Sequence, residues 1–289
     1  MKLNKVLFGL TVVVAALFSS CNKDNEGAIY SNQSNAGVSF TASTLTAVAV
    51  PASNPVFDVE IIRGNTVGAA SGTVTAKLTA GGAELAGATV SGYSFADGQN
   101  STTVSVNVSP LEVGVAGVLT LTLADADASI GGVKATTIKV SKAYEWTSLG
   151  KGTYTDNWLG YASQVEMWKA DGFDRYRIAA PYASYLASDQ AAADWGADWL
   201  APATTVNPLE IWIEDGIVWY EDFPLGIKYE ADKTQPIYGC HPSGWSSLSS
   251  DFNKVLDAKT IQLAPYYYID GLGGWNYTKY DGVIIIELP

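Results

Sequence analysis

Residues 56–62 read VFDVEII, an apolar side chain alternating with a polar one for most of the run. Successive side chains of a strand point to opposite faces, so this period of two puts one face on a core and the other in water. The same reading applies outward along the chain to Gly72–Leu78 (GTVTAKL), Ser101–Val108 (STTVSVNV), Val118–Leu123 (VLTLTL) and Ala135–Val140 (ATTIKV). Turn-forming residues separate the runs: Arg63-Gly64-Asn65, Ala80-Gly81-Gly82, Asp97-Gly98-Gln99-Asn100 and Gly131-Gly132. Short alternating strands at this spacing predict a β-sandwich over residues 37–143.

The composition then changes. All 9 tryptophans lie at or beyond Trp146, and of the 16 tyrosines only Tyr30 and Tyr93 precede Tyr144. Residues 28–143 carry 7 acids and 5 bases, whereas 144–289 carry 20 acids and 9 bases. Residues 144–289 therefore read as a second, separately evolved domain that holds most of the chain's net charge of −12. Val165–Trp168 and Arg175–Ala179 flank the turn signal Asp171-Gly172, and Leu209–Ile213 and Ile217–Tyr220 flank Glu214-Asp215-Gly216. Ile261-Gln262-Leu263 and the apolar run 283–286 predict late strands, the last of them central because both its faces are apolar. Ser184–Trp199, rich in Ala and Asp, predicts a short helix or a decorated loop. Trp168, Trp212 and Trp219, with apolar neighbours on strands, are expected in the core. The fold class is all-β: an Ig-like sandwich, then an antiparallel β-rich domain that is a sandwich or a barrel.

The first 20 residues have the anatomy of a secretion signal. Lys2 and Lys5 precede Val6–Phe18 (VLFGLTVVVAALF), which is shorter than the roughly 20 residues a spanning helix needs. Leu17-Phe18-Ser19-Ser20-Cys21 resembles a bacterial lipobox, with the bulky Phe18 as a departure; the resemblance implies that Cys21 becomes the lipidated first residue. Residues 21–36, rich in Asn, Ser and Gly, read as a flexible tether. Asn22–Glu26 resembles the charged tether of surface lipoproteins of Bacteroidetes. That likeness implies an outer-membrane location, lipid-anchored and facing the exterior.

Val38-Ser39-Phe40, Val59–Gly64, Tyr93–Gly98 and Leu119–Leu123 together resemble a Calx-beta domain. Calcium-binding members of that family carry acidic clusters in loops at one end. Here Val108–Glu112 stands where paired aspartates would, and Asp125 and Asp127 are too few for six to eight oxygen ligands. A metal-free spacer is the expectation. Trp146–Asp156 and Tyr176–Tyr182 are similar to a C-terminal module of uncharacterised Bacteroidetes surface lipoproteins, a likeness that assigns no catalytic residues.

Catalytic signals are weak. A Cys-His dyad from Cys240 and the single histidine, His241, is disfavoured because neighbours in an extended segment diverge, and Pro242 favours an extended His241. One His and one Cys fall short of a zinc site. No Gly-rich phosphate loop, GxSxG or HExxH is present, and no cofactor is implied. Glu166, Glu210, Glu214 and Glu221 lie near aromatics, as a glycosidase pair would. The acidic balance disfavours nucleic acid. Loop tryptophans among Gly, Ser, Asn and Asp are the more informative feature: Trp195, Trp199, Trp245 and Trp275, the last followed by Asn276 and Tyr277. A flat ring can stack on a sugar while neighbouring polar groups take its hydroxyls. The expected function is a non-catalytic, lipid-anchored surface protein that binds a polysaccharide. Alternatives are a structural or adhesive protein with protein partners and, more remotely, a glycoside hydrolase.

Overall fold

The computed structural model describes residues 36–41, 45–202, 208–229, 235–244, 252–275 and 282–289. Cys21, Trp245, Asn276 and Tyr277, with the signal segment and all of the tether but its last residue, lie outside the described residues. The chain is all-β and divides into two compact units, one ending at Ala143 and one beginning at Tyr144.

The first unit contains β1 (Val38–Phe40), β2 (Ala47–Pro51), β3 (Val56–Arg63), β4 (Ala70–Gly72), β5 (Val74–Ala80), β6 (Ala83–Leu85), β7 (Thr89–Val90), β8 (Tyr93–Phe95), β9 (Ser101–Asn107), β10 (Ala116–Leu123) and β11 (Ala135–Ala143). One sheet runs β1-β3-β9-β7 and the other β2-β11-β10-β5-β6, with β4 and β8 as a separate ribbon. All pairs are antiparallel except β2 on β11. Val59, Ile61, Val104 and Val106 from one sheet meet Leu78, Leu119, Leu121, Ile138 and Val140 from the other in one buried cluster. This is a sandwich, and the alternation in VFDVEII is what aims Val59 and Ile61 inward.

Arg63, at the end of β3, is buried in that unit, as are the polar side chains of Ser39 and Lys142. Its guanidinium donates to the carbonyls of Gln99, Gly68, Thr66 and Ala96 at 2.6–3.1 Å and lies over the Phe95 ring. One cation thus ties the loop after β3 to the loop before β9, satisfying carbonyls that no ladder reaches.

The second unit contains β12 (Trp146–Asp156), β13 (Tyr161–Ala170), β14 (Arg175–Ile178), β15 (Leu209–Glu214), β16 (Ile217–Tyr220), β17 (Phe223–Lys228), β18 (Pro236–Cys240), β19 (Lys254–Val255), β20 (Thr260–Leu263), β21 (Tyr266–Ile269), β22 (Gly273–Trp275) and β23 (Ile284–Glu287). Strands β12-β13-β14-β15-β16-β19-β20-β23 close into a barrel, and β17-β18-β21-β22 form a second sheet. The two sheets share one logic. β16 runs into β17 and β20 into β21, so long strands break and continue from barrel to sheet, and both sheets feed one buried core. β23 lies between β12 and β20 with Ile284 and Ile286 buried, which its two apolar faces anticipate. The β15–β16 hairpin turns on Asp215 and Gly216, at φ 53° and 79°. A two-residue turn with both φ positive is what an Asp-Gly pair supplies, and its twist suits an antiparallel hairpin.

Between β14 and β15 the chain forms short helices at Ala183–Leu186 and Asp189–Trp195 and a 3-10 turn at Ala197–Trp199. The Ser188 hydroxyl accepts from the Ala191 N–H and caps the second helix.

Candidate functional site

The barrel interior is filled by tyrosines. Tyr154, Tyr182, Tyr185 and Tyr267 are fully buried around the equally buried carboxyl of Asp156. The Tyr154 hydroxyl donates to Tyr182 Oη at 2.8 Å, and Tyr182 donates to Asp156 Oδ2 at 2.9 Å. The Leu159 N–H donates to Asp156 Oδ1 at 3.1 Å, and the Trp158 N–H also contacts this carboxyl. Burial pushes Asp156 up to about 6, outweighing these hydrogen bonds, which act to lower it. Burial likewise drives the hydroxyls of Tyr154, Tyr182, Tyr220 and Tyr267 far above their ordinary range, so they remain donors. This cluster has the character of a packed core that carries its own hydrogen-bond chain.

Trp195 and Trp275, two of the tryptophans singled out in the sequence, pack against this core. Trp195 meets the edge of Trp158 at 6.0 Å and its Nε1–H donates to Tyr185 Oη at 3.0 Å. Trp275 lies 6.0 Å from Trp158 and 6.3 Å from Tyr267, with Nε1 buried. Trp199 is half-buried beside Gly196. The structure therefore brings Trp195 and Trp275 together around Trp158 and places Trp199 on the neighbouring turn.

The opposite correction applies to Trp168, Trp212 and Trp219. They were expected in the core, yet all are half-buried on the outer face. Ile211 and Val218 take the inward positions of their strands, so alternation turns Trp212 and Trp219 outward as a directly opposed pair on β15 and β16. Arg175 lies 4.9 Å above Trp212 and also over Tyr144, and Arg177 lies 4.2 Å from Trp146. Glu210 accepts from both arginines, so this carboxylate is spoken for.

Next to that pair the chain breaks between β16 and β17, and a groove opens there. Val218 and Tyr220 point inward on β16, while Phe223, Leu225 and Ile227 point inward on β17. The inward positions switch from even to odd, so one extra residue is inserted and both Glu221 and Asp222 face solvent. They border an open groove of about 540 Å³ lined also by Trp212, Trp219, His241 and Tyr268. The Tyr268 hydroxyl donates to Asp222 Oδ2 at 2.7 Å, and its ring stacks on Tyr238 at 5.4 Å. His241 stacks on Trp219 at 4.3 Å. It is only 8% exposed, and burial lowers its pKa, so the ring is neutral at neutral pH. Its Nδ1 accepts from the Ser243 N–H at 3.3 Å, which places the proton on Nε2, and Nε2 has no partner among the described residues. Cys240 is buried and borders the same groove.

Strands β17 and β18 approach each other closely. Phe223 lies opposite Gly239, where a Cβ would come within 2.5 Å of the Phe223 ring. Sequence reasoning named Trp212, Trp219, Glu221 and His241 without joining them, and it missed Asp222 and Tyr268. The available signal was the alternation in LEIWIE, which sets Trp212 opposite in phase to Leu209 and Ile211.

In the first unit, Asp125 pairs with Lys134 and Asp127 accepts from the Tyr93 hydroxyl. Among the described residues no group of three or more His, Cys, Asp or Glu is placed to hold a metal, and no helix is long and apolar enough to cross a membrane. Comparison with protein-family models and with curated proteins returns no match.

Proposed function

We propose that this chain is a lipid-anchored surface protein whose second unit binds a polysaccharide, without catalysis, in the groove beside the β16–β17 break. The first unit, resembling a Calx-beta domain, serves as the spacer. The lipobox-like sequence ending at Cys21 and the tether to residue 36 support display outside the outer membrane. One observation carries the binding role: the rings of Trp212, Trp219 and Tyr268 border one groove with the carboxylates of Glu221 and Asp222. Rings supply a flat apolar face for sugar C–H groups, and carboxylates accept from hydroxyls.

A glycosidase role fits poorly. Its two carboxyls must face each other across the scissile bond. Glu221 and Asp222 are consecutive on one connection, and Asp222 is engaged by Tyr268. A protein-binding role draws support from Val67 and Ile130, which are 84% and 74% exposed on the first unit. Affinity electrophoresis through polysaccharide gels separates these readings. Retardation by at least one polysaccharide, abolished by Trp219→Ala with an unchanged melting temperature, supports the groove. Migration unaffected by any polysaccharide, with specific capture of a protein partner, supports adhesion.

A further inference from the structure

The chain enters the sandwich at one end, and the two most exposed large apolar side chains among the described residues lie at that same end. The Ala36 carbonyl accepts from the Asn65 N–H and the Gly37 carbonyl from the Gly64 N–H, so the entering chain lies against the connection after β3. Val38 then pairs with Arg63, the last residue of β3, donates to the Asp127 carbonyl and accepts from the Ser129 N–H in the β10–β11 connection. Val67 belongs to the first of these connections and Ile130 to the second; they are 84% and 74% exposed.

Both side chains stand on braced turns. The Arg63 guanidinium grips the carbonyls on either side of Val67, those of Thr66 and Gly68. The Val67 N–H donates to Asn65 Oδ1 and the Gly68 N–H to Asp97 Oδ1. Ile130 sits in the turn closed by the Gly132 N–H on the Ser129 carbonyl. That turn is pressed on β1: a Cβ at Gly132 would come within 2.7 Å of Ser39, whose hydroxyl accepts from the Val133 N–H. A single exposed aliphatic side chain is ordinary. Two of them held outward at the end where the chain arrives from Cys21 define a contact surface.

Exposure alone would suit a protein partner, but position favours lipid. Residues 22–35 join Cys21 to Ala36. A chain of that length reaches at most about 50 Å and, as the tether its composition suggests, averages about 20 Å. An acyl group on Cys21 therefore keeps this end beside the membrane at high effective concentration. The charge there is nearly balanced: Arg63 and Lys134 stand against Asp97, Asp125 and Asp127. Asp125 pairs with Lys134, Asp97 accepts from Gly68 and Asp127 from the Tyr93 hydroxyl, so these carboxylates are engaged. Partial burial of two aliphatic side chains favours a seated state on the order of tenfold.

We infer that this end of the sandwich faces the membrane, with Val67 and Ile130 seated in the headgroup region of a neutral or zwitterionic lipid surface. The inference rests on the anchoring at Cys21 proposed above. Acyl chain and protein surface then act as two weak signals that reinforce each other.

The test uses the acylated full chain in phosphatidylcholine vesicles that contain a doxyl-labelled lipid. A nitrobenzoxadiazole label is attached in turn at Val67→Cys, at Ile130→Cys and at Glu112→Cys, an exposed position between β9 and β10 at the opposite end of the sandwich. Cys240 is buried and Cys21 is acylated, so each label reports one place. The labels at positions 67 and 130 should lose about half of their emission to the doxyl lipid, and the label at 112 none. Ile130→Asp should restore emission at 67, and Val67→Asp at 130, with unchanged melting temperatures. An acylated, vesicle-bound chain whose labels at 67 and 130 stay bright overturns the seated end and leaves the anchor standing. So does equal quenching at all three positions. A blue shift at 67 or 130 that requires a protein partner or a second copy, and no vesicles, assigns the surface to protein and overturns it as well. The mass of the native membrane-extracted chain reads the anchor separately: an unacylated Cys21 overturns the anchoring and the seated end together.

Discussion

The two units bury different chemistry with the same backbone device. The sandwich core is almost wholly aliphatic, with Val, Leu and Ile from two sheets interlocking and only a few aromatic side chains among them. The barrel core is built on Tyr154, Tyr182, Tyr185, Tyr220 and Tyr267. Two facing sheets sit about 10 Å apart, a gap that branched aliphatics fill. An eight-stranded barrel encloses a wider space that larger side chains must fill. Tyrosine fills it, but each ring brings a hydroxyl that wants a partner when buried. The barrel therefore carries an internal polar network and a titrating carboxyl, whereas the sandwich meets its polar demand with separate local contacts at Arg63, Lys142 and Ser39.

All tryptophans belong to the second unit, so tryptophan fluorescence follows the barrel alone, while far-ultraviolet dichroism follows both. The largest effect is expected in the sandwich. Arg63→Met removes the guanidinium from four carbonyls, of which Thr66 and Ala96 keep backbone donors, and should cost about 3 kcal/mol. Denaturant melts should show the dichroism transition falling while the fluorescence midpoint stays. A fluorescence midpoint that falls equally would break the independence of the two cores.

Next comes Asp156. Its carboxyl is raised to about 6 in the folded barrel against an ordinary value of 3.8. The folded state thus holds the proton more tightly. This contribution to stability is complete below about pH 4 and is lost as pH rises through 6, a fall of roughly 3 kcal/mol. Fluorescence-monitored unfolding across that range should show the native chain losing this much relative to Asp156→Asn. Parallel curves for the two proteins would contradict the buried carboxyl.

Gly239→Ala forces a methyl into the Phe223 ring and should destabilise the barrel by about 2 kcal/mol, read from the same fluorescence midpoint. The smallest effect sharpens the comparison most. Tyr267 Oη is buried with no partner among the described residues, whereas Tyr182 Oη both accepts and donates. Tyr267→Phe should therefore leave stability level or raise it by about 1 kcal/mol, while Tyr182→Phe lowers it by about 1 kcal/mol. Equal losses would mean that Tyr267 has an acceptor.

The strands were legible because alternation is local. VFDVEII and STTVSVNV show their buried faces directly, and Asp215-Gly216 announces its turn. Ring size and apolar neighbours argue for the core at Trp212 and Trp219, and strand phase overrides both. Trp212 sits between two isoleucines, yet Ile211 takes the buried face. The site itself was hidden for a different reason. Its residues come from β15, β16, β18, β21 and the connections beside them, and the extra residue at 221–222 is visible only when both flanking strands have their inward positions assigned. Barrel closure, through β12 on β23, joins the two ends of the unit and leaves no local trace.

The central claim is that sugar contacts the outward pair Trp212 and Trp219, and not the tryptophans folded onto Trp158. Fluorine-labelled tryptophan gives 9 indole resonances, assignable by substitution. Titrating a soluble fragment of a polysaccharide that retards the native chain into the labelled intact chain should shift Trp212 and Trp219 and leave Trp158, Trp195 and Trp275 in place. Movement confined to Trp195, Trp199, Trp245 or Trp275, with Trp212 and Trp219 unchanged, would contradict it.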